Sequence, residues 1–132
     1  LLSIECLQEA KRIMTPDGFL ALSFTAVPES RREVVSVAKT LSAAFREVRA
    51  FEIEPGRVLS ILFFAADRNL PWESIESPWL VESHRLGWSV AEIEAATVLR
   101  DDLNPAELFQ IRKAERFREE LLTGLGPSLL LE

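Results

Sequence analysis

The stretch that decides the fold is residues 4–26, IECLQEAKRIMTPDGFLALSFTA. Ile4, Leu7, Ala10 or Lys11, and Met14 recur at helical spacing, which predicts a short amphipathic helix. Thr15-Pro16-Asp17-Gly18 then breaks it, each residue for its own reason: proline fixes φ, aspartate bonds to nearby backbone, and glycine adopts conformations closed to other residues. The run Phe19-Leu20-Ala21-Leu22-Ser23-Phe24 is short and apolar, as a buried strand is. The stretch reads as helix, tight turn and central strand, a unit that belongs inside a larger open α/β sheet.

Beyond it, Ser30 and Glu33 have capping-box spacing, and Val34, Val37, Ala38, Leu41, Ala44, Phe45 and Val48 follow the i, i+3, i+4, i+7 rule of an amphipathic helix. Arg31, Arg32, Ser36, Lys39 and Arg46 fall on the opposite side, the pattern of a solvated face. Phe51 and Ile53 alternate with Glu52 and Glu54, Pro55-Gly56 intervenes, and Val58 to Ala66 is almost wholly apolar. That is a hairpin signal, with the first strand half exposed and the second buried on both faces. The helix between Phe19–Ala26 and the hairpin supplies the crossover of a parallel pair, so the expected fold is α/β, with a mixed sheet of about three strands and a C-terminal antiparallel hairpin flanked by helices. Residues 67–103 read as loop-rich with short helices. One of these begins at Pro78 and ends at Gly87, and another begins at the capping-box pair Ser89 and Glu92 and runs to about Ala96. Thr97 to Leu103 is extended or irregular. Residues 104–123 read as a terminal helix, started by Asn104, Pro105 and Glu107, striped with Leu108, Ile111, Phe117, Leu121 and Leu122, and stopped by Gly124 and Gly126.

The chain of 132 residues is one domain by length, and 48% apolar residues suffice for a core. A formal charge of -6 with scattered basic residues argues against nucleic acid or an anionic membrane surface as partner. The longest apolar runs, Phe19 to Val27 and Val58 to Ala66, are strand-sized, so direct membrane contact is not expected and a cytoplasmic location is. A single cysteine excludes an internal disulfide and supplies no metal cluster. The chain begins at Leu1, with its only methionine at Met14, and is expected to be a fragment of a longer protein. The terminal Leu131-Glu132 matches a common cloning remnant and is left out of fold reasoning.

Candidates for chemistry are few. His84 is the only histidine, and a cation near the end of the expected short helix suits the helix dipole better than it suits catalysis. Cys6 has no adjacent histidine or lysine and reads as a buried, inert thiol. Trp72, Trp79 and Trp88 read as packing anchors for the loop-rich segment, with an aromatic cleft as the alternative. Adjacent carboxylates at Asp101 and Asp102, just ahead of a capped helix, can bind a cation or an ammonium group, or simply support the turn.

Residues 1–22, LLSIECLQEAKRIMTPDGFLAL, resemble the helix, L-x-P-D-G, strand element late in the S-adenosylmethionine-dependent methyltransferase fold, and more narrowly its spermidine-synthase-like branch. Residues 38–48, AKTLSAAFREV, then Phe51-Glu52-Ile53 and Val58 to Phe64, continue the resemblance in order. Leu99-Arg100-Asp101-Asp102-Leu103-Asn104-Pro105 is similar to that branch's L-T-D-D-x-x-P stretch, with Arg100 where the pattern has threonine. The resemblance covers about residues 1–110. It implies the C-terminal half of a doubly wound, Rossmann-like sheet: its fifth strand, a crossover helix and the terminal hairpin. It also implies that the cofactor, S-adenosylmethionine or its decarboxylated form, is held by elements upstream of Leu1, so none is expected on this fragment. Asp101 and Asp102 are the only site residues that carry over. The chain lacks the tyrosines common near the amine pocket of spermidine synthases. The function implied is a fragment, inactive alone, of a transferase that moves an aminopropyl or methyl group. The rival reading is a non-enzymatic α/β interaction or assembly module, associating as a homo-oligomer through an unpaired sheet edge. An unrelated small-molecule carrier has no pocket signature in its favour.

Overall fold

A computed structural model describes residues 2–27, 30–54, 59–71, 84–103, 111, 114–119 and 123. Helix α1 (Ile4–Ile13) leads through a turn into β1 (Leu20–Ala26), α2 (Arg31–Ala44), β2 (Glu47–Glu54), β3 (Leu59–Ala66), the two-residue β4 (His84–Arg85) and α3 (Val90–Ala95). Residues 111, 114–119 and 123 are helical as well. Expectations placed on 55–58, on 72–83 (with Trp72 and Trp79), on Asn104 to Glu107, and on Leu108, Leu121, Leu122, Gly124 and Gly126 lie outside the described residues.

The opening helix forms as its spacing predicts. Ser3 caps it, its Oγ accepting from the Cys6 amide at 3.1 Å, and Ile4 and Leu7 are its buried residues. Cys6 points the other way and is exposed, which corrects the buried-thiol reading: one residue before Leu7, it falls about 100° round the helix from the apolar stripe. The Thr15–Gly18 turn closes with the Gly18 amide donating to the Thr15 carbonyl at 2.9 Å.

The strand order is β1-β3-β2-β4, and every neighbouring pair is antiparallel. The α/β class and the hairpin are as expected, but the mixed sheet is not. β1 and β2 do run in the same direction, joined by α2. They are not partners, because β3 folds back between them and takes an edge of each. Among the described residues β3 is therefore interior to the sheet and β1 an edge, which overturns the expectation of a central β1. The β2 ladder breaks between Glu52 and Glu54, where Ile53 is the extra residue of a bulge just before the hairpin connection.

On one face of the sheet, Ala50, Ile61, Phe63 and Ala65 form a single core with Ile4 and Leu7 of α1 and with Val34, Val37, Ala38, Leu41 and Ala44 of α2. Burying a branched or aromatic side chain of this size contributes about 1.5–3 kcal/mol. On the other face, Leu62, Phe64 and Phe51 are half-buried, and Phe64 contacts Phe19 and Phe51 with ring centroids 6.1 Å apart in each case. β3 is thus fully covered on one face only, not on both. Among the described residues, both helices of the core sit on the same side.

The two capping boxes come out differently. Ser89 and Glu92 form a complete one: the Glu92 amide donates to Ser89 Oγ at 3.2 Å, and the Ser89 amide donates to the Glu92 carboxylate at 2.8 Å. Ser30 makes no side-chain cap, because its backbone has φ -91° and ψ 25°, not the extended conformation that turns an N-cap oxygen onto the helix. His84 and Arg85, placed by the sequence in the last part of a short helix ending at Gly87, are strand residues instead, paired with Glu52 and Phe51.

Candidate functional site

The candidate site is the turn carrying Asp101 and Asp102, and its position is fixed by α2. Ser36 and Thr40 lie one turn apart on α2 and are buried. Ser36 Oγ accepts from the Thr97 amide at 3.2 Å, and Thr40 Oγ1 accepts from the Leu99 amide at 2.9 Å. Successive side chains of a strand alternate in direction, so bonding every second amide to the helix leaves the extended 97–99 segment one consistent face, from which Leu99 enters the core. The Leu99 carbonyl then accepts from the Ile4 amide at 2.8 Å, at the start of α1.

Directly after this anchor, Arg100 to Leu103 forms a tight turn closed by reciprocal backbone bonds of 3.2 Å each. Asp101 and Asp102 occupy its two central positions and both are exposed. Glu5, in the first turn of α1, holds the turn from below. Its carboxylate accepts from the Asp101 amide at 3.2 Å and faces the Arg100 guanidinium at 3.8 Å. The backbone is thus fixed and the two carboxylates project outward, an arrangement able to hold an ammonium group at the surface. Arg100, in the place of the threonine of the resembling pattern, is occupied with Glu5.

Contacts along α2 locate this turn relative to the sheet. Arg31 begins α2 at the carboxyl end of β1, and Thr40 lies nine residues on, ~14 Å at 1.5 Å per residue. Asp101 and Asp102 therefore sit well along the helix from the carboxyl end of β1, where ligands of open α/β sheets gather.

The side of α2 read from its sequence as solvated keeps Arg31 and Arg32 exposed, with Arg46 exposed just beyond the helix, buries Ser36, and also serves as a docking strip. Arg31 donates to the Glu92 carboxylate and to the Gly87 carbonyl, Arg32 donates to the Ala95 carbonyl at 3.1 Å, and Lys39 Nζ donates to the Ile93 and Ala96 carbonyls at 2.8 Å each. α3 has no basic residue in its own last turn, and α2 supplies the cations that its exposed carbonyls need. Arg31, with the two Ser89 bonds, pulls the Glu92 carboxyl down to about 2. Helical periodicity marks these residues as lying off the core stripe but cannot show that another segment covers them.

A second polar anchor closes the opposite end of α2. Lys11 Nζ donates to the Ala44 carbonyl at 2.9 Å, contacts Asp67 at 2.7 Å and lies over the Phe45 ring, while Asp67 also accepts from the Arg46 amide. The Lys11 bond in the first place, with the Arg46 amide, holds the Asp67 carboxyl below its usual range. Trp88 fulfils the packing reading: its ring stacks on Phe63 at 6.4 Å, with its Nε1 buried and unpaired. Among the described residues, no group of three or more histidine, cysteine or acidic side chains could hold a metal, and no helix is long and apolar enough to cross a membrane.

Comparison with protein-family models, curated proteins and solved structures returned no match.

Proposed function

We propose that this chain is the C-terminal half of a Rossmann-like, spermidine-synthase-like transferase domain, with further strands of the parent sheet continuing from β1. The carrying observation is the character of β1, which ends the sheet among the described residues, beside that of β2, which lies between β3 and β4. β2 carries Glu47, Arg49, Glu52 and Glu54, whereas β1, LALSFTA, carries no charge and no proline. Strands that end a sheet in water are guarded by charges, proline or bulges, and β1 has none of these. β1 has the composition of an interior strand. The sequence of strand, crossover helix and hairpin, with β1 and β2 codirectional, supports the same reading.

In this reading the upstream half holds S-adenosylmethionine or its decarboxylated form. The reaction is an in-line displacement at a carbon next to sulfonium, and the protein's work is to align the nucleophile and exclude water. In this reading Asp101 and Asp102, set ~14 Å along α2 from the carboxyl end of β1, hold a remote ammonium group of a long acceptor and do not touch the reacting amine. Calorimetry of the complete gene product with each nucleoside tests it. Binding heat with either supports the reading, and silence with both refutes it.

The same unguarded edge favours a second reading, a non-enzymatic module that self-associates by pairing β1 with β1 of another copy. Light scattering decides this one: a monomer at all concentrations counts against it.

A further inference from the structure

We propose that residues 89–95, comprising α3 and its cap, form a strap that lifts off α2 while the sheet, α1 and α2 stay folded. The strap's helix has six residues and buries none of them, and Val90 is 72% exposed. What holds its middle is electrostatic: the Arg31–Glu92 pair, and the bonds from Arg32 and Lys39 to the carbonyls of Ile93, Ala95 and Ala96. Both flanks are fixed in a different way. On one side Trp88 stacks on Phe63, and on the other Ala96 and Leu99 are buried, with the Thr97 and Leu99 amides bonded to Ser36 and Thr40.

Segments open locally when few apolar contacts hold them and their backbone hydrogen bonds face solvent, and both conditions meet in 89–95. Anchors at Trp88 and Leu99 keep the opened strap attached and let it return to the same register. Its attachments are charges at the surface, so salt weakens them, whereas the apolar core of the sheet does not depend on them. Closed, the strap occupies Arg31, Arg32 and Lys39. Open, it frees the side-chain nitrogens of all three, although Arg31 and Arg32 are exposed even in the closed form.

Native-state hydrogen exchange on the 132-residue chain, resolved by residue, tests it. The Ile93 and Ala96 amides, bonded to the strap's Ser89 and Glu92 carbonyls, are expected to exchange ~100-fold faster than those of Ile61 and Phe63. Raising NaCl from about 0.05 to about 0.5 M should speed the strap amides several-fold and leave the β3 amides unchanged. Lys39→Gln should add about a further tenfold, again confined to the strap. The proposal is overturned if Ile93 and Ala96 exchange only together with β3, or if salt leaves their rates unaltered. The salt arm needs no variant and so stands even if Lys39→Gln does not fold.

Discussion

Thr40→Val removes one oxygen from the place where three segments meet. Thr40 is fully buried, and its hydroxyl donates to the Ser36 carbonyl at 2.6 Å while accepting from the Leu99 amide at 2.9 Å. The lost donation matters little, because the Ser36 carbonyl keeps the i+4 amide of its own helix. The lost acceptance matters more: Leu99 is 1% exposed, so water cannot reach its stranded N–H. An unsatisfied buried donor costs about 1–3 kcal/mol, and the added methyl of valine recovers part of this, leaving a net loss of ~2 kcal/mol. For 132 residues at about 2.1 cal/mol/K each, the unfolding entropy is ~0.28 kcal/mol/K, so Tm should fall by ~7 °C. Urea unfolding followed by circular dichroism should show a lower midpoint with an unchanged slope. Exchange of the Leu99 amide should accelerate beyond the global change. A variant as stable as the parent chain, with Leu99 still protected, would refute the idea that α2 holds 97–99 through side-chain hydroxyls.

Three further outcomes follow from neighbouring geometry. Ser89→Ala should speed strap-amide exchange about fivefold, for a cap worth ~1 kcal/mol, whereas Ser30→Ala should shift stability by less than about 0.5 kcal/mol, because Ser30 makes no side-chain cap. Gly18→Ala should cost ~1 kcal/mol in urea unfolding, since a Cβ there would meet the Thr15 carbonyl oxygen at 3.0 Å, while Gly87→Ala meets nothing within 4 Å and should be neutral. Asp67 has a folded pKa below its ordinary 3.8, so its contribution is complete above that value and disappears as pH falls through the folded one. Asp67→Asn should therefore be less stable than the parent chain at neutral pH, with the gap in urea midpoints narrowing below about pH 4; a gap constant with pH would remove Asp67 from the acid response.

The local rules worked where one segment decides its own structure. The α1 spacing, the Pro-Asp-Gly turn, the α2 stripe and the Ser89–Glu92 box are visible in sequence because each is settled within about five residues. The sheet order was not, because codirectional β1 and β2 are compatible with adjacency or with an intervening strand, and only β3 itself chooses. Ser30–Glu33 has the same spacing as Ser89–Glu92, yet the chain enters α2 from β1 through a backbone that cannot present the Ser30 oxygen. Ser36, Arg31, Arg32 and Lys39, read as a solvated face, and Thr40, for which the sequence carries no reading, all hold another segment for a reason the helix pattern cannot show. Their partners lie 54 to 63 residues away in sequence, and no periodicity within a helix reports on a segment so distant. A usable signal did exist: two small hydroxyl residues four apart beside the apolar stripe have room for another backbone to approach.

The edge of β1 and the second face of the sheet point the same way for independent reasons. An edge strand without charges leaves its backbone groups open to another strand, and that is a statement about hydrogen bonding. The second face is a statement about burial. An antiparallel sheet with one wet face alternates apolar and polar residues, and β3, LSILFFAA, has a single polar residue. Its outward Leu62 and Phe64 stand beside Phe51 of β2, with Phe19 53% exposed at the margin, so apolar surface crosses the sheet where polar alternation would keep it soluble. A strand added at β1 alone would satisfy the edge and leave this face as it is. A covering layer alone would do the reverse. A doubly wound sheet continuing past β1, with helices on both sides, meets both demands at once, whereas β1-to-β1 pairing of two copies meets only the first. That difference is what favours the transferase-half reading over the assembly module.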